Sequence, residues 1–297
     1  MNKLIVITGP TASGKTDVAI EVAKYFGTEI ISADSRQFYK EILVGTAAPD
    51  EHQLAEVRHH FVGHLSIFDE YNVSRFENDV LNLLDVKFRE KECMVMVGGS
   101  GLYIDAVCKG IDDLPDPDEA LRKELDERFN KYGIEALQEE LKTLDPEYYN
   151  EVDLKNPKRL MRAIEVCLQT GKKYSVLRKN EPAKRPFKII KIGLDLDRKV
   201  LFERIEKRTD LMLEKGWLEE AEKVFEHRHL NALNTVGFKE LFKYLASEWS
   251  LELATEKIKT NTRRYAKRQI TWFKNDKDLL WMPPDVRDII NEIKKSC

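Results

Sequence analysis

Cysteine is scarce and scattered: the 297 residues hold four, Cys93, Cys108, Cys167 and Cys297, with no C-x-x-C pair among them. That spacing argues against a zinc ribbon, a thioredoxin motif and a disulfide framework, and it suits a reducing cytosol. Long apolar runs are missing too. None nears the roughly 18 residues that would span a bilayer, and only Met-Asn-Lys precedes the first apolar run, so neither anchor nor export signal is expected. Internal repeats and low-complexity segments are absent as well. A large excess of one charge is also lacking, the formal net charge being −3. A polyanion, however, feels the local distribution, and that is uneven. Residues 112–153 are dominated by Asp and Glu, 155–188 are rich in Lys and Arg, and 257–274 hold seven basic residues and no acidic one. One such run reads as a solvated helix face; two together also admit a binding surface.

The length allows a full α/β core together with an insertion. Residues 3–8, Lys-Leu-Ile-Val-Ile-Thr, are a short continuous apolar run ending in a Gly-rich turn, the pattern of a buried parallel strand. A helix follows from Lys15, with Val18, Ile20, Val22, Ala23 and Phe26 as apolar positions and Gly27 as its stop. Residues 29–33, 93–97, 187–194 and 279–282 read as further strands, and 198–215, 217–226, 237–247 and 251–275 as helices. Strands separated by helices predict an α/β fold, a parallel sheet flanked by helices like that of P-loop NTPases. Leu114-Pro115-Asp116-Pro117 opens, and Pro182 and Pro186 close, a charged and mostly helical stretch. It is read as an insertion domain, 112–183, within a core made of 1–111 and 184–297.

Gly9-Pro10-Thr11-Ala12-Ser13-Gly14-Lys15-Thr16 matches G-x-x-x-x-G-K-[ST] and sits between a strand and a helix, as phosphate binding requires. The glycines let the backbone curl so that successive N–H groups face an anion, and the helix N-terminus adds its positive end. Lys15 then reaches the far phosphate oxygens while the Thr16 hydroxyl ligates Mg²⁺. The loop specifies a diphosphate and not ATP in particular. Asp34, in Ser32-Ala33-Asp34-Ser35-Arg36-Gln37, falls at the carboxyl end of the second strand, where an open parallel sheet has its ligand crevice. Three jobs are open to it: holding Mg²⁺ through water, general base, or helix cap. Gly98-Gly99-Ser100-Gly101-Leu102-Tyr103 follows the next strand and brings backbone donors and the Ser100 hydroxyl to the same edge.

Together these segments resemble the tRNA dimethylallyltransferases in their compact bacterial form. The likeness runs in order through Ser32 to Lys40, Gly45-Thr46-Ala47-Ala48-Pro49, Val97 to Tyr103, Asn156 to Glu165 and Thr262 to Trp272, nearly the whole chain. Thr235-Val236-Gly237-Phe238-Lys239 departs from it, with Phe238 where the family usually has tyrosine. The paired Cys and His of the eukaryotic zinc-finger extension do not follow Trp281.

The resemblance implies transfer of a dimethylallyl group from dimethylallyl diphosphate to N6 of the adenosine beside the anticodon, position 37, in tRNAs reading codons that begin with U. N6-(dimethylallyl)adenosine and diphosphate are then the products. It casts Gly9, Pro10, Thr11, Ala12, Ser13, Gly14, Lys15 and Thr16 as the donor site, with Mg²⁺ on Thr16. Asp34 becomes the base, beside Lys15, Thr16, Ser100 and a diphosphate-holding Arg208. Contacts to tRNA are implied for Asp34, Ser35, Arg36, Gln37, Ser100, Arg122, Lys158, Arg159, Leu160, Met161, Arg162 and Arg263. A cytoplasmic monomer acting on the anticodon stem-loop, with no membrane partner, is expected. A P-loop small-molecule kinase, a nucleotide-binding switch and an adenylate prenyltransferase are rival readings of the same loop. The two basic stretches favour RNA.

Overall fold

Among the described residues six short strands, all but one of them largely apolar, pair side by side in one parallel sheet: β1 (Lys3–Thr8), β2 (Ile30–Ser32), β3 (His59–His60), β4 (Cys93–Gly98), β5 (Lys188–Leu194) and β6 (Leu279–Met282). This computed structural model describes residues 1–112, 114–179 and 181–296; Cys297 lies outside them. The strand order is β3-β2-β4-β1-β5-β6. Helices cover both faces, so β1 buries Leu4, Ile5, Val6 and Ile7 alike, which is why its sequence runs apolar without alternating. Leu4 and Val6 pack on one side with Met94, Met96, Phe38 and Phe76. Ile5 and Ile7 pack on the other with Val95, Val97, Val18 and Ile289.

Register places the site. Thr8 stands opposite Gly98 of β4 on one side and opposite Gly193 of β5 on the other, so three strands end nearly level. From β1 the chain goes on toward β2, and from β4 toward β5, in opposite directions along the sheet. A crevice opens at the carboxyl ends where the winding reverses.

The strands expected from sequence are present, and β3 is added to them. Two histidines carry no apolar pattern, so nothing in the sequence marks that strand. The helix after β1, Lys15–Tyr25, stops with Gly27 at φ +61°, a left-handed turn that suits glycine. The helix expected over 217–226 ends at Lys223, and Phe225–His227 goes on as a 3₁₀ turn. No helix among the described residues is long and apolar enough to cross a membrane.

Gly110–Ala183 forms a compact unit separate from the sheet-bearing one. Its helices Glu119–Tyr132, Ile134–Leu144, Pro146–Glu151 and Pro157–Thr170 enclose Leu125, Leu137, Leu141, Leu160 and Ile164. Asp118 and Asp145 each accept a backbone N–H at a helix start, as Asn156 does, so part of the acidic bias of residues 112–153 is capping chemistry. Glu165, only 1% exposed, is held there by Arg122, Arg162 and the Asp118 N–H.

Leu160 lies in the centre of that core and is fully buried, whereas Leu168 of the same helix is 45% exposed. Leu160→Ala is expected to cost about 2–5 kcal/mol. Leu168→Ala should stay within about 0.5 kcal/mol. Urea unfolding of both variants checks this, and equal midpoints would remove Leu160 from the core.

Candidate active site

The loop after β1 curls as its glycines allow: φ is +144° at Gly9 and +88° at Gly14, which caps the helix that follows. A Cβ on Gly9 would lie 3.1 Å from the Leu194 carbonyl oxygen, a tight contact that adds to the conformational reason for glycine. Lys15 folds back over the loop and donates from Nζ to the Pro10 carbonyl at 2.8 Å. Burial draws its pKa down to about 8; Asp34 opposes that drop and Arg208 adds to it. Arg208, on the helix Arg198–Glu214, donates to the Thr11 hydroxyl. Its burial also lowers its pKa from the ordinary arginine value, with Asp34 opposing.

Asp34 begins the turn after β2. One carboxylate oxygen accepts the Arg36 N–H at 3.1 Å, which holds the side chain toward the crevice end of the turn. The neighbouring Ser35 N–H donates to Ser100 Oγ at 3.0 Å, and Ser100 Oγ donates to Ser35 Oγ at 3.2 Å. The turn after β2 and the Gly-rich loop after β4 are thereby fastened together. Gln37 is held by Ser32 Oγ, which donates to its Oε1, and its Nε2 donates to the Ala47 carbonyl at 3.1 Å. Arg36 is spent on the carbonyls of Asn231 and Ala232.

Two cavities meet at this point. One, about 350 Å³, is bounded by Ala12, Gly14, Lys15, Thr16, Gln37 and Arg204. The other, about 380 Å³, has Met212, Trp217, Val236, Tyr265, Lys239 and Arg268 on its walls. Thr11, Asp34, Thr46, Ala47 and Arg208 line both. The first is a cationic cup with hydroxyl and amide donors, suited to phosphate oxygens. Apolar and aromatic walls beside polar groups make the second suited to an organic group. Tyr265 stays a neutral phenol, because burial, with Asp34 nearby, raises its pKa.

No cluster of three or more His, Cys, Asp and Glu side chains among the described residues could cage a metal. Thr16, Asp17 and Asp34 do line the first cavity, and their oxygens are the donor type of a hard cation that takes its other ligands from phosphate and water.

The family model described as IPP transferase matches residues 37–276. The chain belongs to the IPP transferase family. That match starts after Asp34, but full-length relatives extend it. The chain is 51% identical over 282 residues to tRNA dimethylallyltransferase 1 of Phocaeicola vulgatus, covering 95% of this chain and 94% of that one. It is 50% identical over 290 residues to tRNA dimethylallyltransferase 2 of Parabacteroides distasonis, at 98% and 97% coverage. Among solved structures, the full-length tRNA isopentenylpyrophosphate transferase of Bacillus halodurans superposes with a TM-score of 0.72 at 33% identity, covering 99% and 96%. A eukaryotic dimethylallyltransferase acting on tRNA gives a TM-score of 0.80 at 27% identity, covering 96% of this chain and 74% of that one.

For an IPP transferase, the residues expected to meet tRNA divide sharply. Asp34, Ser35 and Arg36 line the second cavity, and Gln37 lines the first. Lys158 and Arg159 are exposed. Leu160 is not available: its side chain is fully buried in the helical core, and Met161 packs against that core. Arg122 and Arg162 share the buried Glu165, and Arg263 is paired with Glu206 at 2.6 Å. Phe238, where the family usually has tyrosine, is fully buried against Trp217, so that position packs an aromatic ring and reaches neither cavity.

Sequence reasoning passed over Gln269 and Trp217. Gln269 falls on the buried stripe Ala254, Ile258, Thr262, Ala266, Gln269 and Phe273 of the helix Leu251–Lys274. A glutamine on such a stripe demands hydrogen-bond partners, and that was the available signal. Trp217 carried none, because Gly45 and Gly237, which make room for it, are distant in sequence.

Only the protonated form of Lys15 attracts an anion. Affinity for inorganic diphosphate should therefore hold below about pH 8 and fall as pH rises through it, well short of the ordinary lysine value of 10.5. Calorimetric titration over a pH series checks this. A Lys15→Met variant should bind more weakly and lose that step, and a wild-type decline beginning only near 10.5 would contradict the lowered pKa.

Proposed function

We propose that this chain transfers a dimethylallyl group from dimethylallyl diphosphate to N6 of adenosine 37 in tRNAs reading codons that begin with U. The names of its relatives support the reaction class. The observation that carries the residue assignment is the shared wall: Asp34 and Arg208 stand between a phosphate-type cavity and an aromatic and apolar one.

The exocyclic amine of adenine is a poor nucleophile, and diphosphate leaves the allylic carbon only when its developing charge is compensated. Loop N–H groups, Lys15 and Arg208 stabilise the diphosphate as the C1–O bond breaks and its electron pair leaves with oxygen. The N6 lone pair closes on C1, and Asp34 accepts the N6 proton. Ser100, tied to Ser35, steadies the turn that carries Asp34 on the acceptor side of the site. The Thr16 hydroxyl would hold Mg²⁺, which would supply further charge compensation there.

The adenine must be splayed from its loop to reach the crevice, and anticodon loops allow that at low cost. The helical unit contacts tRNA through exposed Lys158 and Arg159, while Arg264, Lys267 and Arg268 offer further exposed cations. The reading is of a cytoplasmic monomer.

Labelled dimethylallyl diphosphate offered side by side with anticodon stem-loop RNA, AMP and ATP tests the reading. Label in RNA alone is expected. Label in AMP would make the chain a free-nucleotide prenyltransferase, and ATP turnover without prenyl transfer would make it a kinase. Asp34→Asn should lower the single-turnover rate by about 10²–10⁴-fold with little change in either dissociation constant. Near wild-type turnover would take Asp34 out of the mechanism. Replacing Lys158 and Arg159 together by Ala should weaken RNA binding and flatten its log-log salt slope by roughly 1–2. An unchanged slope would leave both as ordinary surface.

A further inference from the structure

Gln269 reaches out of the buried stripe of the helix Leu251–Lys274 and bridges the two loops of the site. Its Oε1 accepts the Thr11 N–H at 2.8 Å and its Nε2 donates to the Gly99 carbonyl at 2.8 Å. A backbone N–H only donates and a carbonyl only accepts, so this network fixes which end of the amide is which. The residue is 5% exposed, and its hydrogen bond to the Gly99 carbonyl is buried. Space is matched as well as polarity: a Cβ on Gly99 would lie 2.3 Å from Gln269 Nε2.

The two partners lead to opposite halves of the proposed reaction. Thr11 receives the Arg208 guanidinium on its hydroxyl. Gly99 precedes Ser100, whose hydroxyl receives the Ser35 N–H beside Asp34. We infer that Gln269 is a positioning residue that sets the spacing between the diphosphate cradle and the Asp34–Ser100 side of the crevice. The inference rests on the prenyl-transfer reading. Its physical content is that each half stays intact without Gln269 while their separation drifts, and displacements near 1 Å can cost on the order of 10²-fold in rate.

Two variants test it. Gln269→Met keeps length and removes both hydrogen bonds. Gln269→Glu keeps the acceptor for Thr11, but at neutral pH it turns a carboxylate toward the Gly99 carbonyl; once protonated it can donate there as the amide does. Single-turnover prenyl transfer to stem-loop RNA and affinity for inorganic diphosphate are measured for both variants and wild type from about pH 5 to about pH 8. Lys15, Asp17, Asp34, Arg204, Arg208 and Tyr265 are the charged or titratable groups around this position, and taking each variant as a ratio to wild type at the same pH removes the part of their titration that all three proteins share.

The Met variant is expected to lose roughly 10–100-fold in transfer rate, and less than that in diphosphate affinity. The Glu variant should match or fall below it at neutral pH and climb well above it as pH drops. Glu rising only to the level of Met would mean that charge alone was relieved, and it would overturn the inference, as would wild-type transfer by Met. If wild type itself transfers no prenyl group to RNA, the functional reading fails. The bridge is then judged on diphosphate affinity, where acid rescue of Glu above Met supports it and its absence overturns it.

Discussion

Parallel pairing of β1 with β4 is the constraint from which the site follows. With Thr8 opposite Gly98, and Thr8 Oγ1 donating to the Gly98 carbonyl at 3.0 Å, the two strands end level and their loops leave side by side. Gly98 has to be bare. A Cβ there would lie 2.2 Å from the Ala33 carbonyl oxygen, in the chain just beyond β2. That close approach lets the Ala33 N–H donate to the Val97 carbonyl at 2.7 Å, which carries Asp34 to the rim beside the phosphate loop. Backbone register, together with the Thr8 hydroxyl, brings three loops far apart in sequence to one rim.

The rim then brings three cations together with two carboxylates. Lys15, Arg204 and Arg208 face the same cavity as Asp34 and Asp17, and burial disfavours the charged forms of Lys15 and Arg208. Local acceptors keep them satisfied: Pro10 for Lys15, Thr11 for Arg208 and Ser13 for Arg204. A bound diphosphate would offer these cations a stronger partner than a carbonyl or a hydroxyl. In the helical unit the same residue types are used differently. Arg122 and Arg162 close on Glu165, whose buried carboxylate would be costly without them, and they serve the core of that unit.

Sequence by itself determined the phosphate loop, β1, β2 and β4 to β6, the long helices and the place of Asp34 at a strand end. Those features rest on local chemistry: glycine conformations, apolar runs of strand length, and the rule that ligands gather at the carboxyl ends of parallel strands. Motif and strand together were enough to read a diphosphate loop beside a strand-end carboxylate, and they left that carboxylate's job open.

Tertiary structure alone decided which members of a basic run face solvent, and it separated exposed Lys158 and Arg159 from the core residue Leu160 and from Arg162, engaged by Glu165. It also decided that Gln269 would bridge Thr11 and Gly99, and that Trp217 would fill the space left by Gly45 and Gly237. These partners are remote in the chain, and their meeting depends on helix rotation and sheet register. A residue's identity sets what it can donate, accept or exclude, but only the packed chain sets what stands opposite it.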